Sequence, residues 1–320
     1  MRAPLVCDMT DASSTGSLPV GTRIGRTALR VADLEETVAF YRDVVGLAVL
    51  DRDDEAAVLG VAVGATDGDR DAVPLLVLER DAARFERGRD EAGLFHTAFR
   101  VPSRAALGDA LGRVRGRWRL DGASDHLVSE ALYLDDPEGN GVEIYRDRPR
   151  EGWPVDDDGT VQMATEPLDI EGVAAAADEP VEAGGSAPTD RAPPGTDIGH
   201  VHLETTSLSA FEAAYVDGTG FDVGMTGPDV RFVAAGGYHH HLAANTWRGR
   251  TTPAAGRGLA WFEVIVPDAA ALDAVRTRID AVRVRLDASG DDADITVDER
   301  EDEIAVTDAD GIEVRIRTES

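Results

Sequence analysis

The stretch from His126 to Glu143 reads His126-x6-Tyr133-x2-Asp136-Pro137-x-Gly139-x3-Glu143, and it concentrates residue types that move protons and bind cations. One imidazole, one phenol and one carboxylate fall on two strand-like runs joined by an Asp-Pro-Glu-Gly-Asn turn. The remaining histidines are not scattered. His96, His200 and His202 sit in alternating runs, and His239-His240-His241 forms a triple between Tyr238 and Leu242. A single strand histidine is more often a hydrogen-bonded core residue than a ligand. Histidines that recur at matched positions, with a carboxylate downstream, reverse that reading for His96, His200 and Glu143.

The elements that must position these groups follow from local pattern. Gly139 and Asn140 are the residues that supply the positive φ of such a turn. Val142-Glu143-Ile144-Tyr145 alternates as a strand, which puts Glu143 and Tyr145 on one face. The chain also repeats itself. Ile24-Gly25-Arg26-Thr27-Ala28-Leu29 recurs as Ile198-Gly199-His200-Val201-His202-Leu203, 174 residues later. The register holds without a gap through Leu34/Leu208, Tyr41/Tyr215, Asp43/Asp217 and Gly46/Gly220. Each copy predicts a strand, an amphipathic helix and a glycine that stops it. A fainter pair matches Leu94–Pro102 with Leu259–Pro267, each leading into an Ala/Leu-rich helix (Ala105 to Val114; Ala269 to Ile279). Both close on similar turns, Asp136–Gly139 and Asp308–Gly311.

The outcome is an α+β chain of four modules, each a strand, a helix and further strands, at about 24–80, 94–146, 198–246 and 259–317. The expected division is a disordered start (1–20), an N-terminal domain of modules one and two (21–150), a connecting segment with an acidic linker (151–196), and a C-terminal domain of modules three and four (197–320). The Ala/Pro/Glu/Gly-rich run from Gly172 to Pro194 is too poor in large apolar residues to order by itself.

Composition excludes several classes. Acidic residues number 61 against 32 basic ones, for a formal charge of −29 spread along the whole chain. Nothing basic is clustered enough to track phosphates, so nucleic acid is excluded as a partner. The basic residues are arginine rather than lysine, and the acids form a solvated surface; both features resemble proteins of salt-accumulating halophiles. The single cysteine, Cys7, allows no internal disulfide and no cysteine-based zinc site. No apolar run is long enough to span a bilayer and the N-terminus lacks an apolar signal core, so a soluble cytoplasmic protein is expected.

Paired modules of this type resemble the vicinal oxygen chelate superfamily of glyoxalases, bleomycin resistance proteins and extradiol dioxygenases. The His126–Glu143 spacing resembles the extradiol ring-cleavage signature, nearest to the catechol 2,3-dioxygenase branch, with Ser124 in place of the usual residue two before the histidine. The resemblance implies βαβββ modules that pair to form two cup-shaped mixed sheets, with metal ligands on the first and last strands of modules. The first-strand position reads Arg26, His96, His200 and Trp261, and the last-strand position reads Glu143 in module two and Arg315 in module four. The implied ligands are therefore His96, His200 and Glu143. This two-His, one-carboxylate set suits Fe(II), with Mn(II) equally accommodated, and leaves a face open for a catechol and O2. Such a set closes within one chain only if module two pairs with module three and module one with module four; if module one pairs with two, His200 lies in another cup and the set needs a subunit partner. The resemblance further implies His240 as acid–base residue on the last strand of module three, and His126 and Tyr133 as donors to substrate oxygens.

Several alternatives stay open at this level. His202 shares a strand face with His200, and the repeat favours His200. His241 takes the role of His240 if the triple is turned the other way, since strand alternation sets His239 and His241 apart from His240. Tyr133 serves equally as core packing. Asn245 and Trp247 are candidates for the substrate pocket, while Arg26 reads as structural or as a charge at the mouth of a vestigial cup. The competing functions are a glyoxalase I-like isomerase using Ni or Zn, and a non-catalytic binding protein of the same fold. Exposed sheet edges also leave room for a homo-oligomer.

Overall fold

The computed structural model describes residues 17–62, 72–157, 159–177, 190–289, 295–300 and 302–319. Cys7 lies outside them. Four successive βαβββ units account for the architecture. The first is β1 (Arg23–Val31), α1 (Leu34–Phe40), β2 (Ala48–Arg52), β3 (Ala56–Ala62) and β4 (Ala72–Arg80). The second is β5 (Gly93–Arg100), α2 (Arg104–Arg117), β6 (Gly122–Asp125), β7 (Ser129–Asp135) and β8 (Gly141–Asp147). A connecting segment carries the two-residue β9 (Glu166–Pro167) and α3 (Ile170–Ala175). The third unit is β10 (Asp197–Glu204), α4 (Leu208–Phe211), β11 (Asp222–Gly227), β12 (Val230–Ala234) and β13 (Leu242–Asn245). The fourth is β14 (Gly258–Val266), α5 (Ala269–Ser289), β15 (Thr296–Glu299), β16 (Glu303–Thr307) and β17 (Glu313–Thr318).

These strands form two mixed sheets, and neither is made from one half of the chain. One runs β15-β16-β17-β14-β1-β4-β3-β2, so the fourth unit joins the first. The other runs β11-β12-β13-β10-β5-β8-β7-β6-β9, so the third joins the second. Within each unit the first strand pairs in parallel with the last, as β5 does with β8 and β10 with β13. Between units the two first strands pair antiparallel, β5 with β10 and β1 with β14.

Side-chain alternation gives each sheet two different faces. Phe99 of β5 and Val142 and Ile144 of β8 point into one continuous apolar core, which also takes Leu29 and Val31 of β1 and Phe262 and Val264 of β14. The alternate residues point into the cups. Ala98, Ala131 and Tyr145 form the floor of one, and Ala28, Ala260 and Trp261 that of the other.

Helix ends obey local chemistry. Asp33 caps α1 by accepting from the Glu36 amide at 2.9 Å, with Glu35 and Glu36 in the first turn. The helix continues through a π-helical turn, Tyr41–Val45, and stops at Gly46, whose φ of 95° favours glycine. Two struts then cross between sheets. Tyr41 donates to Asp136 at 3.2 Å, and its repeat partner Tyr215 donates to Asp308 at 2.9 Å. Each aspartate opens a turn, and Asp136 accepts from the Glu138 and Asn140 amides just before β8. Gly139 takes the positive φ of that turn, at 80°; Asn140 does not.

Two expectations about the connecting regions change. The composition places the start of the linker at Gly172, yet α3 includes Gly172 and buries Val173 completely, against α2. Gly108 of α2 admits this approach, because a Cβ there would meet the Val173 carbonyl at 2.6 Å. At the N-terminus Leu18 is buried and donates its amide to the Gly220 carbonyl at 2.8 Å.

A second close approach supports the candidate site. A Cβ on Gly141 would lie 2.0 Å from the Phe95 carbonyl and 3.1 Å from the His96 Cβ. Backbone cannot yield as a flexible side chain can, so Gly141→Ala is expected to cost about 1–3 kcal/mol of stability in urea unfolding.

Candidate metal centre and its cavity

Three of the four central strands in the second sheet supply convergent ligand atoms. His96 projects from β5, Glu143 from β8 and His200 from β10, all into the same cup. The Glu143 Oε2 atom lies 3.0 Å from His96 Nε2 and 3.2 Å from His200 Nε2, and the two Nε2 atoms are 3.2 Å apart. All three residues are buried, at 6 %, 2 % and 2 % exposure for His96, Glu143 and His200. A cup-floor residue between strands makes room for this. Gly199 has no Cβ, and one would fall 1.7 Å from the Tyr145 hydroxyl.

The donor set fits a divalent metal. Two imidazole nitrogens and a carboxylate oxygen facing one another form a triangle of electron-pair donors that one cation satisfies together. Burial works to raise the Glu143 carboxyl, but His200 and His96 outweigh it and hold it well below the usual range. Burial lowers His200 to about 4, which keeps its imidazole neutral, as a ligand must be.

These residues sit at the base of a cavity of about 440 Å³. Its walls are largely apolar: Phe95, Met163, Met225, Val230, Phe232 and Trp247. The polar lining includes His126, Tyr133, His202 and His240. His126 occupies the turn between β6 and β7, where Leu127 adopts a φ of 69°, and its ring is held from both sides. Since a carbonyl only accepts, His126 Nδ1–H donates to Ala164 O at 2.6 Å. Its Nε2 then accepts from the Tyr133 hydroxyl, also at 2.6 Å. Burial, then the nearby Glu143 carboxylate, raises the Tyr133 phenol well above its ordinary range.

The histidine triple differs from expectation. Residues 237–241 form a loop between β12 and β13, not part of the last strand, so strand alternation does not govern them. His240 faces the cavity, with its ring centroid 4.1 Å from that of His200, and burial holds its pKa well below the usual imidazole value. Strand alternation sets His239 apart from His240; in the loop the two Nδ1 atoms are instead 2.8 Å apart. His241, the alternative to His240, points away from the cavity and accepts the Ala235 amide on its Nδ1 at 3.1 Å. Burial lowers it to about 3.

The other candidates divide. Trp247 lines the cavity and is half exposed, whereas Asn245 lies behind it, 3.0 Å from His202 Nε2. His202 itself is a buried wall residue beside His96. In the other cup, Trp261 lies between Arg26 and Arg315, which approach its ring to 5.5 and 4.1 Å. Arg26 also pairs with buried Glu263 at 2.6 Å, so the positions that mirror the ligands hold an ion-pair network. Sequence reasoning missed Met163, Ala164 and Thr165, which the connecting segment brings to the cavity when β9 pairs with β6.

This fold and this donor set define a class. Residues 23–144 match the profile of the Glyoxalase/Bleomycin resistance protein/Dioxygenase superfamily. The chain is 37 % identical over 268 residues to the catechol-2,3-dioxygenase of Bacillus subtilis (strain 168), covering 82 % of this chain and 89 % of that one. Glyoxalase I from Zea mays shares the fold at 15 % identity and a TM-score of 0.53, covering 93 % and 92 % of the two chains. The cppA protein from Streptococcus pneumoniae TIGR4 does so at 13 % identity and a TM-score of 0.53, covering 95 % and 99 %. The chain therefore belongs to the glyoxalase/bleomycin resistance protein/dioxygenase superfamily. Within it, this protein is an oxidoreductase of the extradiol dioxygenase family, a homologue of catechol-2,3-dioxygenase, and its relatives imply a metal cofactor. Among the described residues, no helix is long and apolar enough to cross a membrane.

Proposed function

We propose that this enzyme opens the ring of a catechol with O2, using Fe(II) held by His96, His200 and Glu143. The observation that carries this reading is the buried triangle of two imidazoles and one carboxylate at the base of an apolar cavity. A ferrous ion bound there would supply Lewis acidity and electrons to substrate and O2 together. The balance is self-contained: catechol plus O2 gives a 2-hydroxymuconic semialdehyde type product. The ring bond beside the diol breaks, both oxygen atoms are retained, and no external reductant is consumed.

The chain's own residues handle position and protons. His240, neutral and at the cavity wall, accepts a catechol proton and returns it as the ring opens. Tyr133 and His126 form another wall; the Tyr133 hydroxyl, which donates to His126 Nε2 in this structure, becomes a donor to a substrate oxygen by turning toward the bound ring. Phe95, Phe232 and Trp247 hold the ring and keep water out.

The lining also selects substrates. Among the described residues of the lining, Glu143 is the one carboxylate and none is arginine or lysine, so a carboxylate on the ring would find no counter-charge within the cavity wall. An alkyl-substituted catechol is expected to be cleaved with at least about tenfold higher kcat/KM than a carboxylated one. Steady-state assays with the pair check this.

The deciding experiment is anaerobic reconstitution with Fe(II), then addition of catechol and air at high salt, to which we assign this acidic surface. A yellow ring-fission product is expected. No colour with Fe(II), together with isomerisation of a thiol hemithioacetal after nickel loading, would place the chain among glyoxalases instead.

A further inference from the structure

Behind His240 lies a hydrogen-bonded chain that the proposed chemistry leaves unexplained. Strand β8 presents Glu143, Tyr145 and Asp147 on one face. Asp147 Oδ1 lies 2.9 Å from His239 Nε2, while its Oδ2 accepts from the Tyr238 hydroxyl at 2.9 Å and from Arg100 at 3.0 Å. His239 is 2 % exposed and packed between the rings of Tyr238 and Trp153, at 4.0 and 5.2 Å. Its Nδ1 meets His240 Nδ1 at 2.8 Å.

The donor and acceptor roles along this chain follow from the aspartate. A carboxylate only accepts, so His239 carries its proton on Nε2. We take His239 to carry that one proton only, which leaves its Nδ1 bare and able only to accept, and the proton between the rings then belongs to His240 Nδ1. The remaining nitrogen of His240, Nε2, has no hydrogen-bond partner among the described residues.

We infer that Asp147 and His239 are positioning residues that fix His240 as its Nδ1–H tautomer, so that the lone pair of Nε2 is presented to the cavity. The inference rests on the assignment of His240 as the acid–base residue only for its catalytic consequence. The tautomer itself does not depend on the reaction. The arrangement does for His240 what a buried carboxylate does for the histidine of a serine protease, with a second imidazole inserted between. A base in the wrong tautomer offers N–H where a lone pair is required.

The test reads the tautomer directly. Long-range proton–nitrogen NMR of the metal-free protein, with the His240 signals identified by their loss in His240→Gln, is expected to show Nδ1 protonated and Nε2 bare. His239→Phe keeps the stacked ring but removes the acceptor, and the proton of His240 should redistribute to Nε2. His239→Asn restores an acceptor at the Nδ1 position and should restore the tautomer. In the iron-loaded enzyme, His239→Phe is expected to lose about 10- to 100-fold in kcat with KM changed less than about threefold, and His239→Asn to recover most of it. A wild-type His240 protonated on Nε2, or a His239→Asn variant as displaced as His239→Phe, would overturn the inference. An enzyme that shows the expected tautomers but cleaves no catechol would overturn the functional reading and leave the positioning role standing.

Discussion

His200→Ala is expected to empty the metal centre and abolish ring cleavage. The substitution removes one of three donors, and the neighbouring histidines are held by other partners, His202 by Asn245 and His240 through its Nδ1 by His239. Loss of an outer partner alone costs about 10- to 100-fold in affinity, so loss of a ligand should exceed about a hundredfold. Metal content after dialysis, read by elemental analysis, is the measurement. Arg26→Ala, at the mirror position of the other sheet, should retain full metal, and Glu263 keeps Arg317 as a partner there at 3.1 Å. Equal metal loss in both variants would sink the assignment. Loading the wild type should also stabilise it, by about 2.7 kcal/mol at a hundredfold excess over Kd, and His200→Ala should lose that gain.

The second large effect concerns pH. Asp308 is buried at the end of a strut, and burial above all raises its carboxyl from 3.8 to about 7. A group held more basic in the folded state binds its proton more tightly there. Its contribution to stability is therefore complete below about pH 4 and is lost as pH rises toward 7. Asparagine at 308 mimics the neutral acid and does not titrate. The stability of Asp308→Asn relative to wild type should accordingly rise by ~2.5 kcal/mol between pH 5 and pH 8. Urea unfolding of both proteins at the two pH values checks this; a difference independent of pH would contradict it. Asp136, bonded to Tyr41 and raised to about 6 mainly by burial, should behave alike with smaller amplitude.

Much of this architecture was legible in the sequence because duplication writes the same local code more than once. Ile24–Leu29 and Ile198–Leu203 announced two first strands, but pairing of the second unit with the third or with the first stayed open in the sequence, and the sheet order joins the second to the third. The interior of the cup was less legible for a physical reason. Strand alternation predicts side-chain direction only inside strands, and residues 237–241 leave the strand just where the histidines occur. Contact between His239 and His240 was invisible for that reason. Asp147 was reachable, since it follows Glu143 and Tyr145 at spacing two on the same strand. The wall formed by Met163 to Thr165 had no periodic signal, because a two-residue strand leaves none.

The cross-chain sheets also impose an order on synthesis. β1 ends at Val31, and its antiparallel partner β14 begins at Gly258, 227 residues later. At roughly 5–20 residues per second, an edge of β1 stays unpaired for on the order of ten seconds or more, and an edge of β5 for about five seconds or more until β10, 97 residues on, is made. Such edges invite strand addition by other chains. The spread of negative charge then acts before folding is complete, keeping nascent copies apart during an interval that the topology makes unavoidable.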